Sequence, residues 1–271
     1  MADKQVVLLT GASRGLGLAV LKILLKGTEK TPASNVVTLS RSEPKELQQL
    51  QQDFPDSLAV VKGNVTELND NKRAVDVALQ RWNRLDALIL NAGIVEFSRI
   101  ENLVRANLTQ SSEMLLNTLN VNTVSLVTTI RAALPSLRKN HGRVVFVSSG
   151  AATSNYSSWA PYNASKAAMN SIAGTLANEE PDIASFSVRP GVVDTDMQTQ
   201  IRGSDTMNQT EHDKFLDLHK EGKLLPAEKP ASVLAALALR GSRTEPKKDG
   251  KPLGNGAFVS WDDPALDAYH A

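Results

Sequence analysis

The chain has 271 residues, 41% of them hydrophobic and 22% charged, with a formal net charge of +1; this length favours one large domain or two small ones, with enough apolar material for a substantial core. Near-neutrality excludes a global field that would recruit nucleic acid or an anionic membrane surface. With no cysteine, disulfide scaffolds, thiolate metal sites and cysteine nucleophiles are excluded together. The opening MADKQVVLLTG enters a strand-like run by residue 5 and lacks a signal-peptide apolar region. No uninterrupted apolar run approaches the roughly 20 residues of a membrane span, so a cytoplasmic protein without membrane contact is expected. From there, apolar β-branched runs predict strands at QVVLLT (5–10), NVVTLS (35–40), SLAVVKG (57–63), LDALILN (85–91), RVVFVS (143–148), ASFSVRP (184–190) and GAFVSW (256–261). Stretches of helical periodicity such as GLAVLKILLKG and NKRAVDVALQRWN lie between them. The alternation predicts βαβ units, a parallel sheet and right-handed crossovers. The runs are apolar throughout, as expected where helices cover both faces of a sheet. Residues 198–225 break the pattern: they are polar, rich in Gln, Asp, Thr and Lys, and predict a surface excursion or a lid over a site. With no repeat or linker in view, a single domain over residues 1–271 carrying this insertion is expected.

The first turn is the first candidate for chemistry. VVLLTGASRGLGLAVLKILL reads as strand, tight turn and amphipathic helix, with Gly11, Gly15 and Gly17 in the turn. Free N–H groups and the positive end of the helix dipole face such a turn, so a pyrophosphate can settle there. Glycines let the backbone approach it closely. The spacing is G-x-x-x-G-x-G, and alone it is equally compatible with a merely structural turn. The second strand is the next test, because a ribose 2′-hydroxyl is usually held by an Asp or Glu at its end. Here TLSRSE places Ser40 and Arg41 there, with Glu43 in the following helix start. Arg14 and Arg41 could instead clamp a 2′-phosphate by charge-assisted hydrogen bonds, which selects NADP(H). The alternative is a pair of solvated surface arginines.

Further along, APYNASKAAMN holds Tyr162 and Lys166 four residues apart, on one face of a helix. A phenol titrates at about 10 and carries protons poorly at neutral pH. A nearby ammonium and a cationic nicotinamide both favour phenolate; lowering the pKa by about three units requires roughly 4 kcal/mol. Ser149, thirteen residues before Tyr162, ends the GRVVFVSS run and is placed to hydrogen-bond a substrate carbonyl. A lone Y-x-x-x-K pair is far more often an ordinary surface helix.

In combination, TGASRGLG, NAG (91–93), SS before YNASK, and RPGVVDTDM resemble the short-chain dehydrogenase/reductase family, from about residue 5 to 197 with a weaker tail to about 261. The resemblance implies an α/β Rossmann fold, a doubly wound parallel sheet of about seven strands in the order 3-2-1-4-5-6-7 with helices on both faces. It implies nicotinamide-dependent hydride transfer, with Ser149, Tyr162 and Lys166 as the catalytic trio. The family's fourth member is an asparagine thirteen residues before the proline of the long fourth helix. Counted back from Pro135 in NVNTVSLVTTIRAALP, this is Asn122 rather than Asn120. In the family it bends the helix and anchors a water linking the lysine to solvent. Cofactor contacts are implied for Gly11, Ser13, Arg14, Gly15, Leu16, Gly17, Arg41, Asn64, Val65, Asn91, Ala92, Gly93, Tyr162, Lys166, Pro190, Val193 and Thr195.

Two departures stand out. After the third strand the family usually has an acid for the adenine amino group, where this chain has KGNV with Asn64, which can still accept that bond. The end, GNGAFVSWDDPAL, lacks the double glycine common in many members. That tail, with SRSE and RPGVVDTDMQ, looks more like the sepiapterin- and benzil-reductase-like branch, fungal members included.

The expectation is therefore an NADPH-dependent carbonyl reductase acting on a small ketone, diketone or aldehyde, with Tyr162 as general acid. The alternatives are a non-catalytic NADP-binding regulator or scaffold, against which an intact trio argues, and a non-redox enzyme such as an epimerase. His141, His212, His219 and His270 show no metal-ligand spacing, and no metal is expected. Asp194 and Asp196 are expected as turn and cap residues. Trp159 either walls the pocket or packs elsewhere. Long helical patterns at 112–139 and 162–180 suit paired copies, so a homodimer or homotetramer is expected.

Overall fold

The computed structural model describes residues 4–105 and 108–271. Its strands are β1 (Val6–Thr10), β2 (Asn35–Ser40), β3 (Leu58–Lys62), β4 (Ala87–Leu90), β5 (Arg143–Val147), β6 (Ala184–Arg189), β7 (Lys247–Lys248), β8 (Lys251–Pro252) and β9 (Asn255–Ser260). The helices are α1 (Gly15–Lys26), α2 (Lys45–Asp53), α3 (Leu68–Trp82), α4 (Ile100–Arg105), α5 (Leu108–Leu119), α6 (Ser125–Lys139), α7 (Ala151–Ser154), α8 (Ala160–Glu179), α9 (Asp196–Arg202), α10 (Gln209–Lys220) and α11 (Glu228–Arg240). A single π turn, Asn120–Val124, joins α5 to α6, and a 3-10 helix covers Pro264–Tyr269.

Seven strands form one parallel sheet in the order β3-β2-β1-β4-β5-β6-β9. Its strands are mostly apolar because both faces are covered, with the hydroxyls of Thr38, Ser185 and Ser187 also buried. Val7 and Leu9 point into a core built with α1, α2 and α11, whereas Val6 and Leu8 point into one built with α3, α6 and α8. Adjacent side chains of a strand leave on opposite faces, so an uninterrupted apolar run serves two cores at once. Strands β2 and β3 are added on one side of β1 and β4 onward on the other, and a ligand crevice forms at the carboxyl ends of the strands beside such a switch point.

The strand order agrees with the sequence expectation, the seventh sheet strand being β9 at the predicted GAFVSW run. The hairpin β7–β8 has no forerunner in the sequence reading; its two-residue strands are too short to show a period. Residues 198–225 are mostly helical, in α9 and α10, and Leu225 returns to pair with Val193. Among the described residues no helix is long and apolar enough to cross a membrane.

Candidate active site

The glycine turn between β1 and α1 is held by its neighbours' backbones. Gly11 and Gly15 have φ of +71° and +53°, the left-handed region that glycine enters without penalty. A methyl on Gly11 would lie 2.9 Å from Ala92 Cα, and one on Gly17 would overlap the Gly11 carbonyl oxygen. Gly11 N–H donates to Leu39 O at 2.9 Å, and Ala12 N–H to Ser40 Oγ at 3.0 Å. The Asn91 amide donates to the carbonyls of Thr10 and Gly11 at 3.1 and 3.0 Å, while the Asn91 and Ala92 N–H groups both reach Thr10 Oγ1. Asn91 thus ties the end of β4 to the turn. Arg14, the residue ahead of α1, makes no capping bond, so first-turn N–H groups of the helix keep their capacity for an anion.

A cavity of about 810 Å³ runs from this turn across the strand ends. All the sequence-assigned cofactor residues line it: Gly11, Ser13, Arg14, Gly15, Leu16, Gly17, Arg41, Asn64, Val65, Asn91, Ala92, Gly93, Tyr162, Lys166, Pro190, Val193 and Thr195. A backbone cradle that a Cβ would fill, opening on a cavity of this size, fits a dinucleotide. The two arginines differ in their surroundings. Arg41 is exposed and makes no hydrogen bond or ion pair among the described residues. Arg14 Nη1 pairs with Asp196 Oδ2 at 3.0 Å, the two side chains 67% and 66% exposed. Asp196 is therefore more than the turn or cap residue expected of it: it joins α9 to the glycine turn. Asn64 keeps its turn in place, donating N–H to Asp70 Oδ2 at 2.7 Å and accepting from Thr66 N–H at 3.2 Å.

At the other end stand Ser149, Tyr162 and Lys166. Ser149 follows β5 and its Oγ accepts from Ala151 N–H at 3.1 Å. Tyr162 and Lys166, one turn apart on α8, are 6% and 4% exposed, with Lys166 Nζ 5.6 Å from the phenol ring centroid. Asn122, in the π turn, lies behind them and does not line the cavity. Fully buried, it accepts from Ile94 N–H at 2.9 Å and donates to Ile94 O at 2.8 Å and Ser165 Oγ at 3.1 Å. Its amide fastens the chain after β4 to α8.

The protein's own surroundings act on the phenol against the direction expected from Lys166 and a cationic nicotinamide together. Burial pushes Tyr162 up to about 12, with the Ser149 hydroxyl pulling it back in part. The same burial pushes Lys166 down to about 7, and its Nζ donates to Val147 O at 2.7 Å. An ammonium that itself resists charging in this site is a weak support for a phenolate, so the surroundings of Tyr162 keep it protonated.

Beyond Tyr162 the cavity wall is aromatic. Trp159 meets the Tyr162 ring edge-on at 5.6 Å and 83°, stacks on Phe215 at 5.7 Å and 14°, and touches Tyr156 at 4.9 Å and Phe97 at 5.8 Å. Val95, Ala151, Ile201 and Met207 complete the cluster. Of the two readings of Trp159, both hold: it walls the cavity and is packed. The sequence reading missed Tyr156, Phe215, Arg189 and Lys214, all of which line the cavity. The apolar pair Phe215–Leu216 inside an otherwise polar stretch was the one available sign of an inward-facing helix. Among the described residues no group of three or more His, Asp or Glu could hold a metal.

The comparisons with known proteins agree with this geometry. The family described as short chain dehydrogenase matches residues 5–206. An uncharacterized oxidoreductase of Schizosaccharomyces pombe is 38% identical over 261 residues, covering 95% of this chain and 96% of its own. A benzil reductase, (S)-benzoin forming, of Saccharomyces cerevisiae is 34% identical over 245 residues, with 88% and 91% covered. The crystal structure of a short-chain dehydrogenase/reductase from Saccharomyces cerevisiae superposes with a TM-score of 0.87 at 35% identity, covering 98% of this chain and 100% of that one. A chain matched over most of its length by family, sequence relatives and fold belongs to the short-chain dehydrogenase family, within which it resembles the benzil-reductase-like members.

Proposed function

We propose that the protein is an NADPH-dependent carbonyl reductase that converts a ketone, diketone or aldehyde to an alcohol. Oxidoreductases of this family act on small molecules with a nicotinamide cofactor, which supplies or accepts a hydride when bound. The observation that carries the finer reading is the convergence of Ser149, Tyr162 and Lys166 at one end of a cavity whose other end is the glycine turn. Ser149 holds the substrate carbonyl oxygen. Tyr162, kept protonated by its burial, delivers its proton to that oxygen as negative charge develops, the role of a general acid. Lys166, tied to Val147 O, holds the cofactor ribose and returns the proton. Asn122 positions α8 through Ser165. The aromatic wall of Trp159, Tyr156 and Phe215 suits a substrate with an apolar or aromatic body, in keeping with the benzil reductase among the relatives.

The preference for NADPH rests on Arg41, an exposed guanidinium just after β2 with no partner among the described residues, and on Ser40 standing where a carboxylate would hold a 2′-hydroxyl. Residues 198–225, which bring Ile201 and Phe215 to the wall, act as the substrate loop of a single domain over 1–271. The outward side chains of Leu116, Val124 and Val127, 50–55% exposed on α5, the π turn and α6, suit a second copy of the chain as dimer or tetramer partner. The test is oxidation of NADPH, followed by its absorbance, against a panel of aromatic diketones, aldehydes, quinones and pteridines, with Tyr162→Phe alongside. Activity on one class that Tyr162→Phe abolishes is expected; turnover that survives the substitution would remove Tyr162 from the mechanism.

A further inference from the structure

The cavity is far more basic than the chain. Across a protein of net charge +1, its lining carries Arg14, Arg41, Lys166 (whose charging burial opposes), Arg189 and Lys214 against the single carboxylate Asp196. The first three belong to the cofactor end and the catalytic centre as read above. Arg189 and Lys214 do not, and both stand around the substrate end. Arg189 closes β6, and its Nη1 lies 3.6 Å from the point where a side chain on Gly150 would begin. Gly150 directly follows Ser149. One nitrogen of the guanidinium is already committed: Nε donates to Ser260 Oγ at 3.2 Å, and that hydroxyl in turn donates to Asp262. This chain of bonds aims the group, while its two Nη nitrogens have no hydrogen bond among the described residues. Lys214, on α10, holds its Nζ 5.9 Å from the Tyr156 ring centroid, on the aromatic cluster that leads through Trp159 to Tyr162.

We infer that the substrate is an anion: an aryl 2-oxo carboxylate, with its ring against Trp159 and Phe215, its carbonyl on Ser149 and Tyr162, and its carboxylate on Arg189, with Lys214 adding to the field. This rests on the reading of the cavity as a carbonyl-reducing site and gives that site its substrate class. A guanidinium whose Nε is fixed and whose Nη pair is free matches a carboxylate in two parallel hydrogen bonds. Its place beside the residue after Ser149 sets the charge next to the reacting carbonyl, as in a 2-oxo acid. The reaction balances without a further reactant: the carbonyl carbon receives a hydride from the reduced nicotinamide, its oxygen receives the Tyr162 proton, and a 2-hydroxy acid leaves with the oxidised cofactor.

The test compares phenylglyoxylate with its methyl ester, which keeps the skeleton and removes the charge. The acid should have the higher kcat/KM, and Arg189→Gln should lower the acid-to-ester ratio by about tenfold, the equivalent of 1.4 kcal/mol. Lys214→Gln should lower it less, and rising salt should lower it in the parent. Titration calorimetry with mandelate and methyl mandelate on the intact protein reads the same preference without turnover. Stronger binding of mandelate that Arg189→Gln removes supports the anion site even if neither oxo compound is reduced, an outcome that would count against the carbonyl-reductase reading alone. Equal binding of acid and ester, or an Arg189→Gln variant that weakens both alike, overturns the inference even where both oxo compounds are reduced.

Discussion

Removing Arg41 separates the two nicotinamide cofactors if its place at the end of β2 is what chooses between them. A charge-assisted hydrogen bond contributes about 1.5–3 kcal/mol, and exposure with salt screening brings this toward the lower end. Arg41→Ala should therefore raise the Kd for NADPH by about tenfold and leave that for NADH almost unmoved, since NADH lacks the contacted phosphate. Arg14 enters differently, because it is already paired with Asp196 at 3.0 Å. An exposed pair of this kind contributes about 0.2–1 kcal/mol, which Arg14 must give up to reach a phosphate. Arg14→Ala should thus cost less than Arg41→Ala, by up to roughly fivefold in Kd at 1 kcal/mol. Asp196→Asn, which frees Arg14, should tighten NADPH more than NADH. The assay is titration of both cofactors against the parent and the three variants, followed by protein fluorescence at fixed ionic strength. A parent that binds NADH as tightly as NADPH, or an Arg41→Ala that weakens both equally, would refute the phosphate assignment.

Four further outcomes are expected. Tyr162→Phe should reduce turnover by about a hundredfold or more, the scale of lost acid catalysis, while cofactor binding stays within a few-fold. Ser40→Asp should invert the cofactor preference, because a carboxylate can take over the Ala12 N–H bond now made by Ser40 Oγ and repel a 2′-phosphate; competition between the cofactors reads it. For Lys166, folding lowers the pKa from 10.5 to about 7, so the unfolded chain binds the extra proton in that window and this group makes stability rise with pH. Thermal unfolding of Lys166→Met should accordingly show a Tm difference from the parent that shifts in the variant's favour as pH falls from 10.5 to 7, and a pH-independent difference would contradict the burial argument. Light scattering should show a dimer or tetramer at micromolar concentration, and a chain that stays at 29.2 kDa would contradict the outward apolar face.

The sheet was legible because burial on both faces keeps its strands mostly apolar and free of exposed charge inside the run, with only small buried groups such as Thr38, Ser185 and Ser187 among them: each of the seven predicted runs contains or closely overlaps a sheet strand. The residues at the two ends of the cavity were legible for a different reason, since a glycine turn and a Tyr–Lys pair are local patterns whose neighbours in sequence are also neighbours in space. What could not be read is what joins distant segments. The Arg14–Asp196 pair spans 182 positions, and nothing near either residue announces the other. The aromatic cluster draws on Phe97, on Tyr156 and Trp159, and on Phe215, three separate segments with no common period. Spacing reports that Lys166 is near Tyr162, whereas the protein's own effect on the phenol is set first by burial, which no local pattern shows.

The turn that follows β6 has a history in time as well as a place in space. Gly191, at φ +78°, is packed so closely that a methyl there would lie 2.5 Å from Leu225 Cδ1 and 3.1 Å from Trp261 Nε1. Trp261 is itself held in the core, 9% exposed, and its backbone N–H donates to Arg189 O at 3.0 Å. The glycine turn, β2 and β4 are all made before residue 91 and can associate while the ribosome is still at work, as amino-terminal segments do. The far end of the same cavity must wait for Trp261, which emerges with the last strand. A nascent chain stalled before β9 would hold the glycine turn but lack the strand against which the turn after β6 is packed.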